Sequence, residues 1–229
     1  MTRAARLPDG RDVVLDATVA DRLLAGLVVV EGVSSRPAPA IWDETRAVAQ
    51  RLRALHAGKV PSEIPALEAA RNLYKSFGME PSRHRPSSEA LLRRVLKGDD
   101  LYRISNTVDA CNLASLSFLL PIGMYDLDRI RGDIVLRFGR EGEQYSGIRK
   151  GPVHLAGRLG LFDNEGPFGS PTSDSERTSV TDEAARLLAV IMATASHSRA
   201  AMSEHVDLLA DLFCRHCDGK VTFRDLLGE

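Results

Sequence analysis

The stretch NTVDACNLASLSFLLPIGMYDLDRIRGDIVLR, residues 106–137, decides the fold. Residues 106–120 read as an apolar helix, and Pro121 breaks it because proline lacks a backbone donor. Asn106, Asp109 and Asn112 recur every three residues, which sets them close together on one helical face. Three polar side chains at the rim of an apolar core cost stability unless something satisfies them. The chain's own backbone is one candidate partner and a ligand is the other. After the break, DIVLRFGREGEQYSGI (133–148) predicts a strand, a Gly-rich turn and a second strand.

Outward from this stretch the chain divides by type. Residues 1–18 carry a Pro-Asp-Gly turn and little periodicity, and are expected as a tail. VADRLLAGLVVVEGV (19–33) predicts a short helix or turn and then a buried strand over 27–30. SSRPAPA (34–40) is an extended connector, since Pro37 and Pro39 disfavour helix. Amphipathic helices are expected over 41–58, over about 65–77 and from Ser87 or Ser88 onward, with Gly58, Gly78 and Gly98 as stops. Residues 151–180 are too rich in Gly, Pro and Ser for helix and predict strands and turns. Thr181, Asp182 and Glu183 read as a helix start. LLAVIMATA (187–195) fits strand or helix, and its β-branched content favours strand. Residues 198–217 predict a closing amphipathic helix. Helices cluster first and strands come later. The expected fold is therefore α+β, a single compact domain with a mixed or antiparallel sheet packed against helices. Its parts would be a tail over 1–18, the domain over 19–197, and a segment over 198–229 whose helix packs on that domain.

Composition narrows the function classes. The 229 residues are 44% apolar and 27% charged, enough for a sizeable core. A net charge of −1 excludes a generally basic nucleic-acid coat, so any such contact must use a local patch. Three cysteines do not make a disulfide framework. MTRAARLPDGRD lacks the apolar region of a signal peptide, and the longest apolar runs fall short of a membrane span. A soluble, cytoplasmic protein without membrane partners is expected.

Few constellations carry chemistry. FCRHCDG brings Cys214, His216 and Cys217 together, but a structural zinc site needs four ligands, and one CxxC turn suits ordinary helix packing. No metal is expected. SRHR (82–85) with the following helix forms the densest basic cluster: Arg83, Arg85, Arg93, Arg94 and Lys97. It is either a phosphate-contacting patch or a solvated helix face. The serines of GSPTSDSERTS lack the strand–turn–helix setting of a hydrolase nucleophile, and no phosphate or dinucleotide loop occurs.

At this point the chain resembles a family. Residues 106–137 look like the tRNA-binding and editing (B3/B4) domain of the phenylalanyl-tRNA synthetase beta subunit. There too an Asn, a Val-Asp pair and an Asn open an apolar helix, followed by Pro and an aromatic-Asp-Leu-Asp turn. SERTSVTDEAARLLAVIMA (175–193) matches a later Val-Thr-acid-acid segment of that family. The likeness is closer to free-standing proteins built from this domain, in which LVVVEGVSSRP, YKSFGMEPSRHRPSSEALLRRVLKG and LPIGMYDLDRI fall in the same order. It covers about residues 20–195.

The resemblance implies a compact α+β domain with an amino-acid pocket that receives the end of a mischarged tRNA and hydrolyses the ester. Pocket residues would be Asn106, Asp109, Asn112, Pro121, Gly123 and Val190. The basic cluster would hold tRNA, and no cofactor is called for. Two departures stand out. The family's His after its Pro-apolar pair is Gly123 here, and the acid that recognises a tyrosine hydroxyl falls near Val190. A Val-lined pocket cannot select a hydroxyl, so a small or apolar amino acid is expected in place of tyrosine. An activated ester needs no side-chain nucleophile; a positioned water and backbone donors suffice. Trans-acting aminoacyl-tRNA deacylation is thus the first expectation. A non-catalytic module for an amino acid or tRNA is the alternative.

Overall fold

The computed structural model describes residues 4–228. β1 (Ala4–Arg6) and β2 (Asp12–Leu15) form a hairpin about the Pro8-Asp9-Gly10 turn. β3 (Leu23–Glu31) follows, with every residue from Leu23 to Val30 buried. Four helices come next: α1 (Pro39–Leu55), α2 (Glu68–Ser76), α3 (Ser87–Leu96) and α4 (Asn106–Phe118). Leu119 then turns left-handed, two residues before Pro121, and ends α4. β4 (Ile122–Asp126), β5 (Ile134–Phe138), β6 (Gln144–Ser146) and β7 (Pro152–His154) lead into β8 (Leu159–Asp163), β9 (Gly166–Ser170) and β10 (Ser173–Asp174). β11 (Arg186–Thr194), α5 (Arg199–Cys217) and β12 (Lys220–Leu227) close the chain.

The strands make a six-stranded sheet, β1-β2-β5-β8-β9-β10, and an antiparallel four-stranded sheet, β12-β3-β11-β4. In the first, only the β2–β5 pair is parallel. β6 and β7 form a separate two-stranded ribbon. Alternation along β11 shows the layering. Leu188, Val190 and Met192 meet Leu136, Leu161 and Phe168 of the six-stranded sheet. Leu187, Ala189 and Ile191 meet Ala110 and Leu113 of α4 and Leu209 and Phe213 of α5. The four-stranded sheet is therefore covered on both faces, which is why β3 and β11 read as continuous apolar runs. Each such side chain contributes about 1.5–3 kcal/mol by leaving water. The fold is α+β, as expected.

Three local expectations need correction. Residues 4–15, expected within a tail, are strands: Arg11 donates to the carbonyls of Leu127 and Ile130 at 2.9 and 3.0 Å, and Asp133 accepts from the Asp12 amide. Residues 1–3 of that tail lie outside the described residues. The segment after 197 is a helix plus β12, which pairs with β3. The strand, turn and second strand expected over 133–148 are present as β5 and β6, with β5 between β2 and β8 and β6 paired with β7. Thr181–Glu183 is a turn, because β11 begins at Arg186 and leaves no length for a helix.

Candidate functional site

The start of α4 is built by long-range hydrogen bonds. Ser105 caps the helix, its hydroxyl accepting from the Val108 amide. Asn106 donates through Nδ2 to the carbonyls of Ser34 (2.7 Å) and His216 (3.0 Å), and its Oδ1 accepts from the Arg36 amide at 3.3 Å. One buried side chain thus joins the connector after β3, the end of α5 and α4. Asp109, one turn on, is 6% exposed, and its Oδ1 accepts from the Ile104 amide at 3.1 Å. Burial pushes its carboxyl up to about 6, against the amide bond and the charge of Arg103.

These residues edge a cleft of about 600 Å³. Its apolar wall comes from Pro37, Ala38, Pro39, Trp42 and Ile104. Its polar groups are Arg36, Arg46, Arg103, Asp43 and Asp182 beside Asn106 and Asp109. Arg103 lies 4.9 Å above the Trp42 ring, while Arg46 pairs with Asp43 and Arg36 with Asp218. Asp182 accepts from the Ser35 hydroxyl at 2.7 Å. The cleft combines a stacking surface, cations and a perturbed carboxylate, a set able to hold an anionic or aminoacylated ligand.

The other expected pocket residues lie elsewhere. Gly123 and Val190 face each other in the β4–β11 ladder, and the Pro121 carbonyl accepts from the Met192 amide at 3.1 Å. α4 separates this group from the cleft: its 13 residues span about 20 Å. The volume in front of Gly123 holds the buried Tyr125 ring, which also packs against Gly169. Beside it, burial pushes the carboxyl of Asp174 up to about 7. Asn112 is half-buried and does not line the cleft. Of the residues that complete the cleft, Trp42 and Arg103 carried no sequence signal beyond a lone Trp, and Asp182 reads in the sequence as part of a helix start and of the Val-Thr-acid-acid segment, not as a site residue.

The basic cluster divides. Arg93 joins Arg71 on the buried carboxylate of Glu89, each at 2.8 Å. Arg94 turns the other way, stacking 4.0 Å from the Tyr102 ring. Arg83, Arg85 and Lys97 are exposed. Among the described residues no three His, Cys, Asp or Glu side chains are grouped to hold a metal ion. Cys217 is buried, which pushes its thiol up to about 12, and Cys214 is exposed. No described helix is long and apolar enough to cross a membrane.

Comparison with known proteins gives three findings. No curated protein matches the chain. A crystal structure of an N-terminal fragment of the phenylalanyl-tRNA synthetase beta-subunit from Pyrococcus horikoshii is similar, with a TM-score of 0.48 at 14% identity. The match covers 95% of this chain but only 54% of that fragment. The model of the B3/4 domain matches residues 69–217, from the first turn of α2 to the last residue of α5. The chain belongs to the B3/4 domain family.

Proposed function

We propose that this B3/4-domain chain is a cytoplasmic aminoacyl-tRNA deacylase acting in trans on mischarged tRNA, and that the cleft at the start of α4 takes the acylated 3′ end. The observation that carries this reading is Asp109: a carboxyl pushed up to about 6 at the edge of a cleft lined by arginines and Trp42. One of its oxygens is held by the Ile104 amide. The other takes a proton from water as the water adds to the ester carbonyl. The ester C–O bond then breaks, and the ribose oxygen leaves as a hydroxyl with that proton. A base whose pKa lies near neutral contributes about 10²–10⁴-fold to such a step. Trp42 and Arg103 stack the terminal base, and Arg36 and Arg46 face the phosphates. The apolar wall of Pro37, Ala38, Pro39 and Ile104 suits a small or apolar amino acid better than tyrosine.

One observation favours a second reading, a non-catalytic module for an amino acid or tRNA. Asn106 spends both ends of its amide on the chain's own backbone, so it is not free to help Asp109 hold a ligand. A deacylation assay over a panel of mischarged tRNAs separates the two. The enzyme reading expects turnover that falls at least about 100-fold in Asp109→Asn with tRNA binding retained. Saturable binding without turnover in the parent protein establishes the module. Absence of both overturns the placement of the ligand in this cleft.

A further inference from the structure

A second cavity, of about 360 Å³, lies between the loop after α2, the β6–β7 ribbon and the β9–β10 turn. It shares no lining residue with the cleft at α4. Its two charges have one sign: Lys150 and Arg158 line it beside the imidazoles of His84 and His154, and no carboxylate does. None of the four forms an ion pair among the described residues, whereas Arg137, Arg177 and Arg186 nearby in sequence all do. Two cations without a direct ion pair around a concavity leave an electrostatic demand that the fold meets only in part. Met79, Leu155 and Leu159 add buried apolar surface, and Ser170, Thr172 and Ser173 add hydroxyls.

The walls are braced, so the cavity is formed before any ligand arrives. Gly78 approaches the loop between β7 and β8 closely: a Cβ there would lie 2.7 Å from the Gly157 carbonyl oxygen. The Tyr74 hydroxyl donates to the Pro171 carbonyl at 2.6 Å, fixing the β9–β10 turn on α2. The Thr172 hydroxyl donates to Met79 Sδ at 3.3 Å, and Ser170 Oγ meets Tyr145 Oη at 2.9 Å. Preformed walls reduce the ordering cost of binding. Asp174, on β10, is the opposing charge that Lys150 acts on, and burial pushes its carboxyl up to about 7 against that cation, which leaves it partly neutral.

We propose that this cavity binds a small phosphate monoester with an apolar or aromatic body, of the size of a nucleoside monophosphate. Lys150, Arg158 and the two imidazoles hold the phosphoryl group, and Met79, Leu155 and Leu159 take the body. Phosphate suits the site better than a carboxylate because two separate cations, two imidazoles and three hydroxyl side chains line it, and its doubly charged head offers three acceptor oxygens. The volume sits at the lower end of small-molecule sites, about 300–1,000 Å³. The inference stands on different residues from the deacylase reading and does not depend on it.

The test titrates the full chain with AMP, phenyl phosphate and inorganic phosphate. The readouts are thermal stability and the ¹³C-methyl resonance of Met79. AMP or phenyl phosphate is expected to raise Tm saturably and shift the Met79 methyl, with inorganic phosphate weaker than either. Lys150→Ala and Arg158→Gln, both at accessible side chains, should each weaken binding at least about tenfold at unchanged ligand-free Tm. The proposal is overturned if none of the three probes moves Met79 at about 10 mM. It is overturned equally if both variants bind as tightly as the parent, which would place the phosphate in the arginine-lined cleft. Inorganic phosphate matching phenyl phosphate would remove the apolar body from it.

Discussion

The hydroxyl of Tyr125 occupies the place where residue 123 would carry a side chain: a Cβ built on Gly123 would lie 2.1 Å from it. The same hydroxyl sits 2.2 Å from a Cβ built on Gly169. The ring is held between two glycines in the core, edge-on to Phe168 at 5.0 Å. Its hydroxyl faces Asp174 without reaching hydrogen-bond geometry. Gly123→Ala should therefore destabilise by about 1–3 kcal/mol through overpacking. In a Tyr125→Phe background the cost should shrink, because the closest atom is gone. Denaturant midpoints of the four proteins measure the coupling, and additive effects would show that the ring is free to move aside.

Asn106 makes a different prediction, since its work is structural. Asn106→Ala leaves the buried His216 carbonyl and the part-buried Ser34 carbonyl and Arg36 amide without this partner. Each unsatisfied group costs about 1–3 kcal/mol, less where water enters. The expected loss is about 2–4 kcal/mol by urea unfolding. Deacylation or ligand binding, measured below the new midpoint, should stay within a few-fold of the parent. A large functional loss at small stability cost would return Asn106 to the ligand.

These two residues show what was legible in the sequence. The helix before Pro121 and the apolar strand at 187–195 were readable because their patterns are local. The resemblance grouped Gly123 and Val190 as pocket residues; they meet as partners in the β4–β11 ladder, with the Tyr125 ring in the space before Gly123. The partners of Asn106 lie 70 to 110 residues away, so its polar step on a helix could not reveal them. The cleft draws on three distant segments, 35–46, 103–109 and 182, for the same reason. β12 escaped because a bulge between Val221 and Phe223 breaks its alternation, and its outer edge is only half-buried. β1 and β2 are three and four residues long and exist as strands through β5.

Asp109 couples stability to pH in an unusual direction. Its carboxyl is raised from an ordinary 3.8 to about 6, so between these values the folded state binds the extra proton. Stability from this group is greatest below about pH 4 and is lost as pH rises through 6. Asp109→Asn keeps an acceptor for the Ile104 amide and removes the buried charge. It should raise Tm at pH 8 and leave it nearly unchanged at pH 4. In the parent, hydrolysis should rise with pH along an apparent pKa near 6. A pH-independent Tm difference would show that the carboxyl is not perturbed.

The imidazoles of His205 on α5 and of His197 just before it act in the opposite sense. His205 stacks on Phe118 with ring centres 4.5 Å apart, and His197 lies 5.5 Å beyond it. Burial and the neighbouring His197 hold His205 down at about 4, and burial lowers His197 as well. Neutral rings are thus required in the fold. Stability is full above about pH 6.5 and falls as pH drops toward 4. His205→Phe preserves the stack and removes the titration, so the acid side of the stability curve should flatten. Comparing each variant with the parent at every pH separates this slope from the opposing one of Asp109.

The basic cluster predicts two separable phenotypes. Arg93 supports Glu89, whose carboxylate side chain is 4% exposed and otherwise depends on Arg71. Arg93→Ala should lower stability by about 1–3 kcal/mol, since it strips a partner from a buried charge. Its effect on tRNA affinity should be small. Arg94 instead lies over Tyr102, which is 67% exposed, on the loop that leads through Arg103 into the cleft. Arg83, Arg85 and Lys97 enter no ion pair among the described residues. Replacing Arg94 or Lys97 by Ala should leave Tm nearly unchanged and weaken tRNA binding. Each should also reduce the slope of log affinity against log salt by about one. Filter binding across a salt series reads that slope directly. If it is the same in the parent and all variants, tRNA does not lie along this face, and the acceptor end must reach the cleft from the side of Arg36 and Asp182.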